Sequence, residues 1–125
     1  GFVPEICTVR KYAGDGGKRA QLDIPKESYI VGLAGTLISR KGADLLPLLA
    51  KAVSGKQIKK PTHYLWVGGN TQGPYFGAIM DDLRKFGLEG TVHFIGEVVD
   101  PFPYYSISDV FVLLSREDPF PLVML

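Results

Sequence analysis

Residues 29–42 have the sequence YIVGLAGTLISRKG, and this stretch decides the fold class. Its first six residues, Tyr29–Ala34, form a short apolar run that predicts a buried strand, with a close backbone approach at Gly32. After a loop bounded by glycines, a helix is predicted over residues 45–54 with Asp44 as its N-cap. Strand, loop and helix in this order are the first part of a β-α-β unit.

The same alternation continues along the chain. A helix is predicted over Pro74–Phe86, where apolar residues recur with the helical period, and Gly87 ends it. Further short apolar strands are predicted at residues 63–67, 92–95 and 110–114, with at most a short helix between 101 and 108. Such strands suit a parallel sheet covered on both faces, and right-handed crossovers limit its topology. We therefore expect a doubly wound, Rossmann-like α/β sheet of about four parallel strands in the order 3-2-1-4.

Composition narrows the classes of protein that remain. The chain has 125 residues, 46% of them hydrophobic, and a net charge of +1, which suits one domain without a general basic field. Nucleic acid is therefore not expected as a partner, and no apolar run is long enough to span a membrane. The single Cys7 excludes an internal disulfide and a multi-cysteine zinc site. Residues 1–28 show no strong periodicity and are assigned as a lead-in to a domain over 29–125.

A ligand site is expected where the strand order reverses, because open α/β sheets bind ligands beyond the carboxyl ends of their strands. The loops after the first and fourth predicted strands flank that point. In the first, Arg40 and Lys41 follow Gly35 and could hold a diphosphate. They could equally be a solvated helix entry, although cations oppose the dipole at a helix N-terminus. The loop does not have the spacing of a dinucleotide fingerprint or of a P-loop.

The second loop contains the adjacent carboxylates Glu117 and Asp118. They could cap a following helix, which their position favours, or accept hydrogen bonds from sugar hydroxyls. The two histidines, His63 and His93, are expected to be packed or hydrogen-bonded and not catalytic. Trp66 and the Tyr104-Tyr105 pair are expected in packing, and Asp109 in a structural role.

At these loops the sequence resembles the donor-binding domain of retaining GT-B glycosyltransferases of family 4, the group 1 glycosyl transferases. Each matching stretch is short, but together they occur in the family's order. They are residues 35–46 (GTLISRKGADLL), 65–69 (LWVGG), 92–98 (VHFIGEV) and 108–125 (SDVFVLLSREDPFPLVML).

The resemblance implies roles for particular residues. Arg40 and Lys41, with Gly35 and Thr36, would hold the donor diphosphate, and Gly96, Glu97 and Val98 would line the base pocket, largely through backbone. Asp118, or its neighbour Glu117, would contact the donor sugar. The backbone of Phe120, Pro121 and Leu122 would approach the same sugar. No metal or other cofactor is implied.

Three residues depart from the family pattern. Asp118 is shorter than the glutamate that is usual there, so its neighbour Glu117 could be the true sugar contact. Thr36 stands where an arginine is common, and Pro121 replaces a common glycine and cannot donate an N–H. Two alternatives to a transferase therefore stay open. The first is a non-catalytic nucleotide-binding or scaffold module of the same fold. The second is a sugar-nucleotide epimerase or a phosphorylase.

The resemblance implies a sugar transferase that acts with retention on a UDP-, GDP- or ADP-sugar. Its acceptor would be a glycan or lipid-linked molecule, in polysaccharide, lipopolysaccharide or glycoconjugate biosynthesis. We expect a cytoplasmic location, with contact to the inner face of the membrane left open. The apolar residues 121–125 are interpreted as the start of a longer helix. This stretch of chain alone is therefore expected to be incomplete, inactive and prone to self-association.

Overall fold

The computed structural model describes residues 5–8, 17–35, 37, 42–56 and 60–113. Two 3₁₀ turns, Ala43–Leu45 and Glu89–Thr91, precede the second helix and the fourth strand. The helices and strands in chain order are β1 (Glu5–Thr8), α1 (Lys18–Gln21), β2 (Tyr29–Ala34), α2 (Leu46–Ser54), β3 (Thr62–Val67), α3 (Pro74–Phe86), β4 (Val92–Gly96), α4 (Phe102–Ser106) and β5 (Val110–Leu113).

The five strands form one sheet in the order β1-β5-β2-β3-β4. β2, β3, β4 and β5 are parallel, which confirms the predicted four-stranded arrangement. β1 adds an antiparallel edge strand beside β5, and it lies in the segment that showed no periodicity. Unlike the equally short β5, β1 has the mixed sequence EICT, which is not an apolar run and is too short for a clear alternation, so only its pairing reveals it.

Both faces of the sheet are covered. On one face, α2 and α3 pack against β2 and β3, and Trp66 lies at the centre with 1% of its surface exposed. On the other face, Ile24 and Ile107 pack against Ile30 and Leu65. Burial on both sides explains why the strands are apolar runs and not alternating sequences.

The start of α2 differs from the prediction. Asp44 does not cap the helix, because it lies inside the 3₁₀ turn that leads directly into Leu46. Its carboxylate instead accepts a hydrogen bond of 2.8 Å from the Tyr75 hydroxyl, and that hydroxyl accepts the Asp44 N–H at 3.1 Å. Pro47 is consequently the second residue of α2, where its missing N–H costs no helical hydrogen bond. The predicted end at Ser54 and Gly55 is confirmed.

α3 has the predicted bounds. Ile79 and Leu83 are its buried residues, and they lie on the face toward the sheet. Gly87 ends the helix in a left-handed conformation, with φ of 70°, and its N–H bonds to the Arg84 carbonyl. Because glycine takes this conformation without steric cost, the end of the helix could be predicted from the sequence.

The contact between β2 and β5 depends on Gly32 and Asp109. A Cβ on Gly32 would lie 2.5 Å from the Ser108 Oγ and 2.9 Å from the Phe111 ring, so the predicted close approach is confirmed. The Asp109 carboxylate accepts the Ile30 N–H at 2.7 Å, and the Asp109 N–H donates to the Ile30 carbonyl at 2.7 Å. Asp109 therefore has the structural role that its position predicted.

The two histidines form a pair on the sheet face opposite Trp66, the face on which Leu65 lies. His63 Nδ1 and His93 Nε2 are 2.9 Å apart, and the rings stack with centroids 5.2 Å apart. Burial lowers the pKa of both imidazoles. The pKa of His93 falls to about 4, through burial first and then the nearby His63, while Asp23 acts in the opposite direction. The pair is therefore a hydrogen-bonded element of the core, as expected.

Gly32→Ala tests the close approach between β2 and the segment before β5. We expect it to lower the free energy of unfolding by about 1–3 kcal/mol, because the new methyl group overlaps Ser108 and Phe111. Urea denaturation measures the change. Gly77→Ala is a matched control in α3, where a Cβ meets nothing within 4 Å. It should stabilise the helix by roughly 0.5–1 kcal/mol. Equal effects of both variants would contradict the packing argument.

The histidine pair predicts that acid destabilises the fold. Between pH 6.5 and about 4 the unfolded chain binds protons that the folded His93 does not, so stability falls as pH falls through that window. Each such proton contributes about 1.4 kcal/mol per pH unit. We expect His93→Gln to flatten the dependence of the urea midpoint on pH.

Asp23→Asn is a second test of the histidine pair, and its effect on the pH dependence of stability should be opposite to that of His93→Gln. It removes the carboxylate that favours a charged His93, so the loss of stability should extend to lower pH than in the unaltered protein. Identical pH profiles for the unaltered protein, His93→Gln and Asp23→Asn would show that the pair does not control acid stability.

Candidate functional site

The carboxyl ends of β2, β3 and β4 are tied together by backbone hydrogen bonds. The Gly35 N–H donates to the Val67 carbonyl at 3.1 Å, and the Gly68 N–H donates to the Gly96 carbonyl at 2.7 Å. The Trp66 indole N–H donates to the Gly35 carbonyl at 3.0 Å. These bonds hold the beginnings of three loops in one place, so their backbones form a continuous surface.

Glycine is required where these loops meet. Gly68 has φ of 106°, and a Cβ there would lie 2.8 Å from the Gly35 carbonyl oxygen. Gly69 has φ of 83°, and its Cβ would lie 2.6 Å from the Leu37 Cγ and 2.7 Å from the Leu37 nitrogen. A side chain at either position would separate the loop after β2 from the loop after β3.

A cavity of about 430 Å³ opens at this edge of the sheet, and we call it the carboxyl-end cavity. Its volume lies within the usual range for sites that bind small molecules. The described residues that line this cavity are Ala34, Gly35, Val67, Gly68, Gly69, Glu97, Val98, Pro101 and Tyr105.

Most of the carboxyl-end cavity is formed by backbone and apolar side chains. Glu97 is exposed and is the only charged side chain among the described residues that line it. Tyr105 is 8% exposed and packs edge-on against Phe111, with ring centroids 5.1 Å apart. Burial raises the pKa of the Tyr105 phenol, which therefore stays protonated at neutral pH. The cavity can hold a flat, partly polar group against backbone, with one carboxylate at its rim.

The structure brings together part of the predicted site. Gly35, Glu97 and Val98 line the carboxyl-end cavity, and Gly96 is the last residue of β4 directly before them. β5 pairs with β2, so the loops that follow these two strands begin from neighbouring strands. The other predicted residues lie outside the described part of the chain: Thr36, Arg40, Lys41, Glu117, Asp118, Phe120, Pro121 and Leu122.

Several lining residues were not predicted as site residues. Gly68 and Gly69 follow β3 directly, and two consecutive glycines at the carboxyl end of a parallel strand are a signal that could have identified them. Tyr105 packs in the core as predicted, but it also lines the cavity. Pro101 lines the cavity as well, and its position depends on the path between β4 and α4, which no local pattern specifies.

The described ranges contain neither a candidate metal site nor a membrane-spanning helix. In residues 5–8, 17–35, 37, 42–56 and 60–113, no group of three or more His, Cys, Asp or Glu side chains could hold a metal ion. Within the same ranges, every helix is too short or too polar to cross a bilayer.

Comparison with known proteins identifies the family. The profile of the family described as glycosyl transferases group 1 matches residues 16–125. The chain belongs to this family. The match includes all four parallel strands and both loops where a site was expected.

Curated relatives agree with this assignment. The lipopolysaccharide core biosynthesis glycosyltransferase LpsE of Rhizobium meliloti (strain 1021) is 32% identical over 133 residues, an alignment that covers 100% of this chain and 35% of that protein. The group 1 chain therefore spans about a third of the length of this relative.

Solved structures share the fold of the group 1 chain. The sucrose-phosphate synthase from Thermosynechococcus elongatus is 28% identical, with a TM-score of 0.64 over 94% of this chain and 30% of that one. Anabaena Alr3699/HepE, solved with UDP and glucose, is 21% identical, with a TM-score of 0.62 over 79% of this chain and 26% of that one. The sheet is thus the Rossmann-like sheet of GT-B glycosyltransferases.

Proposed function

We propose that the chain is the donor-binding part of a retaining glycosyltransferase of family 4. In this proposal the whole protein transfers a sugar from a nucleotide-sugar to a glycan or lipid-linked acceptor in the synthesis of lipopolysaccharide or a related polysaccharide. Membership of the group 1 family and the similarity to a lipopolysaccharide glycosyltransferase support the class of reaction. The part of the protein beyond this chain would provide the acceptor site.

The carboxyl-end cavity is the observation that carries the proposal. It lies at the carboxyl ends of β2, β3 and β4, on the edge where doubly wound sheets bind nucleotides. Its glycine-lined wall allows a ligand to approach backbone groups, and Val98 and Tyr105 supply apolar surface for a planar base. The structural neighbour Anabaena Alr3699/HepE has been solved with UDP and with UDP-glucose, which supports a nucleotide-sugar as the ligand.

Residues outside the described part of the chain would complete the donor site. Arg40 and Lys41 would hold the diphosphate and balance the charge that develops on it as the glycosidic bond breaks. Carboxylates at Glu117 and Asp118 would accept hydrogen bonds from the sugar hydroxyls and fix the orientation of the ring. The proposal uses no metal ion or other cofactor.

Retention of configuration has a direct test. The intact protein would be supplied with a defined nucleotide-sugar and acceptor, and the anomeric configuration of the product would be read by NMR. We expect the product to keep the configuration of the donor. An inverted product would refute retention. If the protein binds the nucleotide but neither transfers the sugar nor hydrolyses the donor, a scaffold function would be favoured.

Arg40→Ala combined with Lys41→Ala tests the diphosphate site. Calorimetric titration of the intact protein with UDP, GDP and ADP should give at least one binding isotherm, which the double variant weakens tenfold or more. Lys26→Ala combined with Lys85→Ala removes the same charge from two exposed positions and should change nothing. Absence of binding by all three nucleotides would overturn the proposed function.

Val98→Trp tests the carboxyl-end cavity itself. The indole ring of the new tryptophan should occupy space that the nucleotide base needs, so we expect the Kd for the preferred nucleotide to rise tenfold or more. Val99→Trp is the matched control, because Val99 is fully exposed, at 106% of its reference surface, and does not line the cavity. If the two variants bind the nucleotide equally well, this cavity is not the base pocket.

A further inference from the structure

Tyr105 brings a hydroxyl as well as an aromatic ring to the carboxyl-end cavity. It lies on α4, lines the cavity and is 8% exposed, so more than nine-tenths of its surface is buried. Three residues of the apolar cluster around its ring line the same cavity, namely Ala34, Val67 and Val98. The edge-on contact with Phe111 holds the ring from another side. The Tyr105 ring is therefore a fixed part of the cavity wall.

The hydroxyl of Tyr105 has no hydrogen-bond partner, yet a ligand can reach it. Among the described residues, the hydroxyls that are fully buried and have no partner are those of Ser28 and Tyr64. The Tyr105 hydroxyl also lacks a partner among the described residues but does not belong to that group, so part of its surface remains accessible. Burial raises the pKa of the Tyr105 phenol, so its proton is present at neutral pH. A molecule in the cavity can accept that proton in a hydrogen bond.

The protein itself gives the phenol proton little alternative. The described side chains in the cluster around the Tyr105 ring are hydrophobic: Ala34, Val67, Ile95, Val98, Tyr104 and Phe111. A largely buried hydroxyl whose proton finds no acceptor loses free energy when a ligand excludes water from it. A ligand that accepts from Tyr105 is therefore favoured over a ligand that can only donate to it, because the second ligand leaves the phenol proton unpaired.

The bases of nucleotides differ in what they present to such a donor. Uracil and guanine have a ring carbonyl beside a ring N–H, which together form a lactam. Cytosine and adenine have an amino group in the place of that carbonyl. A carbonyl oxygen accepts a hydrogen bond, whereas the amino group of a base donates. The phenol proton of Tyr105 is therefore complementary to a lactam base.

We propose that Tyr105 recognises the base of the donor nucleotide through a hydrogen bond from its hydroxyl to a ring carbonyl. Of the three nucleotides considered above, UDP and GDP then bind in preference to ADP. This inference rests on the proposed donor site in the carboxyl-end cavity and adds a specificity-determining residue to it. Uracil and guanine share the lactam chemistry, and the experiment distinguishes them by ring size.

Calorimetric titration of the intact protein with two matched pairs of nucleotides tests the preference. UDP and CDP have the same single ring, with an oxo group in the first and an amino group in the second. IDP and ADP have the same double ring and differ in the same way. In the pair with the preferred ring size, we expect the oxo nucleotide to bind at least tenfold more tightly than the amino nucleotide. The pair that contains the tighter ligand identifies the ring size.

Tyr105→Phe connects the preference to the hydroxyl. It keeps the ring against Phe111 and removes the donor, so the two members of the pair should then bind within threefold of each other. Tyr104→Phe is the matched control on the same helix. Tyr104 is not among the described residues that line the cavity, and its ring lies 4.7 Å from the Lys18 ammonium. This variant should keep the full preference, and urea denaturation of both variants checks that the fold is kept.

The outcomes separate this inference from the proposed function. Equal binding of the oxo and amino nucleotides by the unaltered protein would overturn the role of Tyr105 without any variant. An unchanged preference in Tyr105→Phe would show that another group recognises the base. Weakening of every nucleotide by the same factor would show that the hydroxyl contacts a part common to all of them, such as the ribose. Each of these three results leaves the nucleotide site in place, whereas absence of binding by every nucleotide would overturn both proposals.

Discussion

Two hydrogen bonds of 2.7 Å between Ile30 and Asp109 hold the start of β5 against the start of β2. Among the described residues, the ladder between these strands contains two residue pairs, Val31 with Val110 and Gly32 with Phe111, so a carboxylate that accepts a backbone N–H adds substantially to this contact. The missing side chain at Gly32 lets Ser108 and Phe111 approach. This contact makes β2 the central strand and sets the point at which the strand order reverses.

The location of the carboxyl-end cavity follows from that arrangement. Once β2 has β5 on one side and β3 on the other, the loops after β2, β3 and β4 emerge along one edge of the sheet. The Trp66 indole connects the core to this edge, because it is buried against α2 and α3 and donates to the Gly35 carbonyl. Glycines at 68 and 69 then let the loops touch. The packing of the core around Trp66 therefore helps to fix the shape of the carboxyl-end cavity.

Much of this fold could be predicted because its signals are local. α3 has a complete helical period between a proline and a left-handed glycine, and β2, β3 and β4 are largely apolar runs that end at or directly before a glycine. Two features could not be predicted in this way. Asp44 looked like a helix cap until the fold placed the Tyr75 hydroxyl, 31 residues away, within 2.8 Å of its carboxylate. β1 has only four residues and is defined by its pairing with β5.

By itself, the sequence determined the alternation of strands and helices and the close approach at Gly32, because each depends on residue types within a few positions. The tertiary structure decided which distant groups meet. It added Gly68, Gly69, Pro101 and Tyr105 to the lining of the carboxyl-end cavity, and it placed the Tyr75 hydroxyl against the Asp44 carboxylate. Partnership between residues that are far apart in the chain has no local signature, because it arises only when the sheet and its covering helices pack.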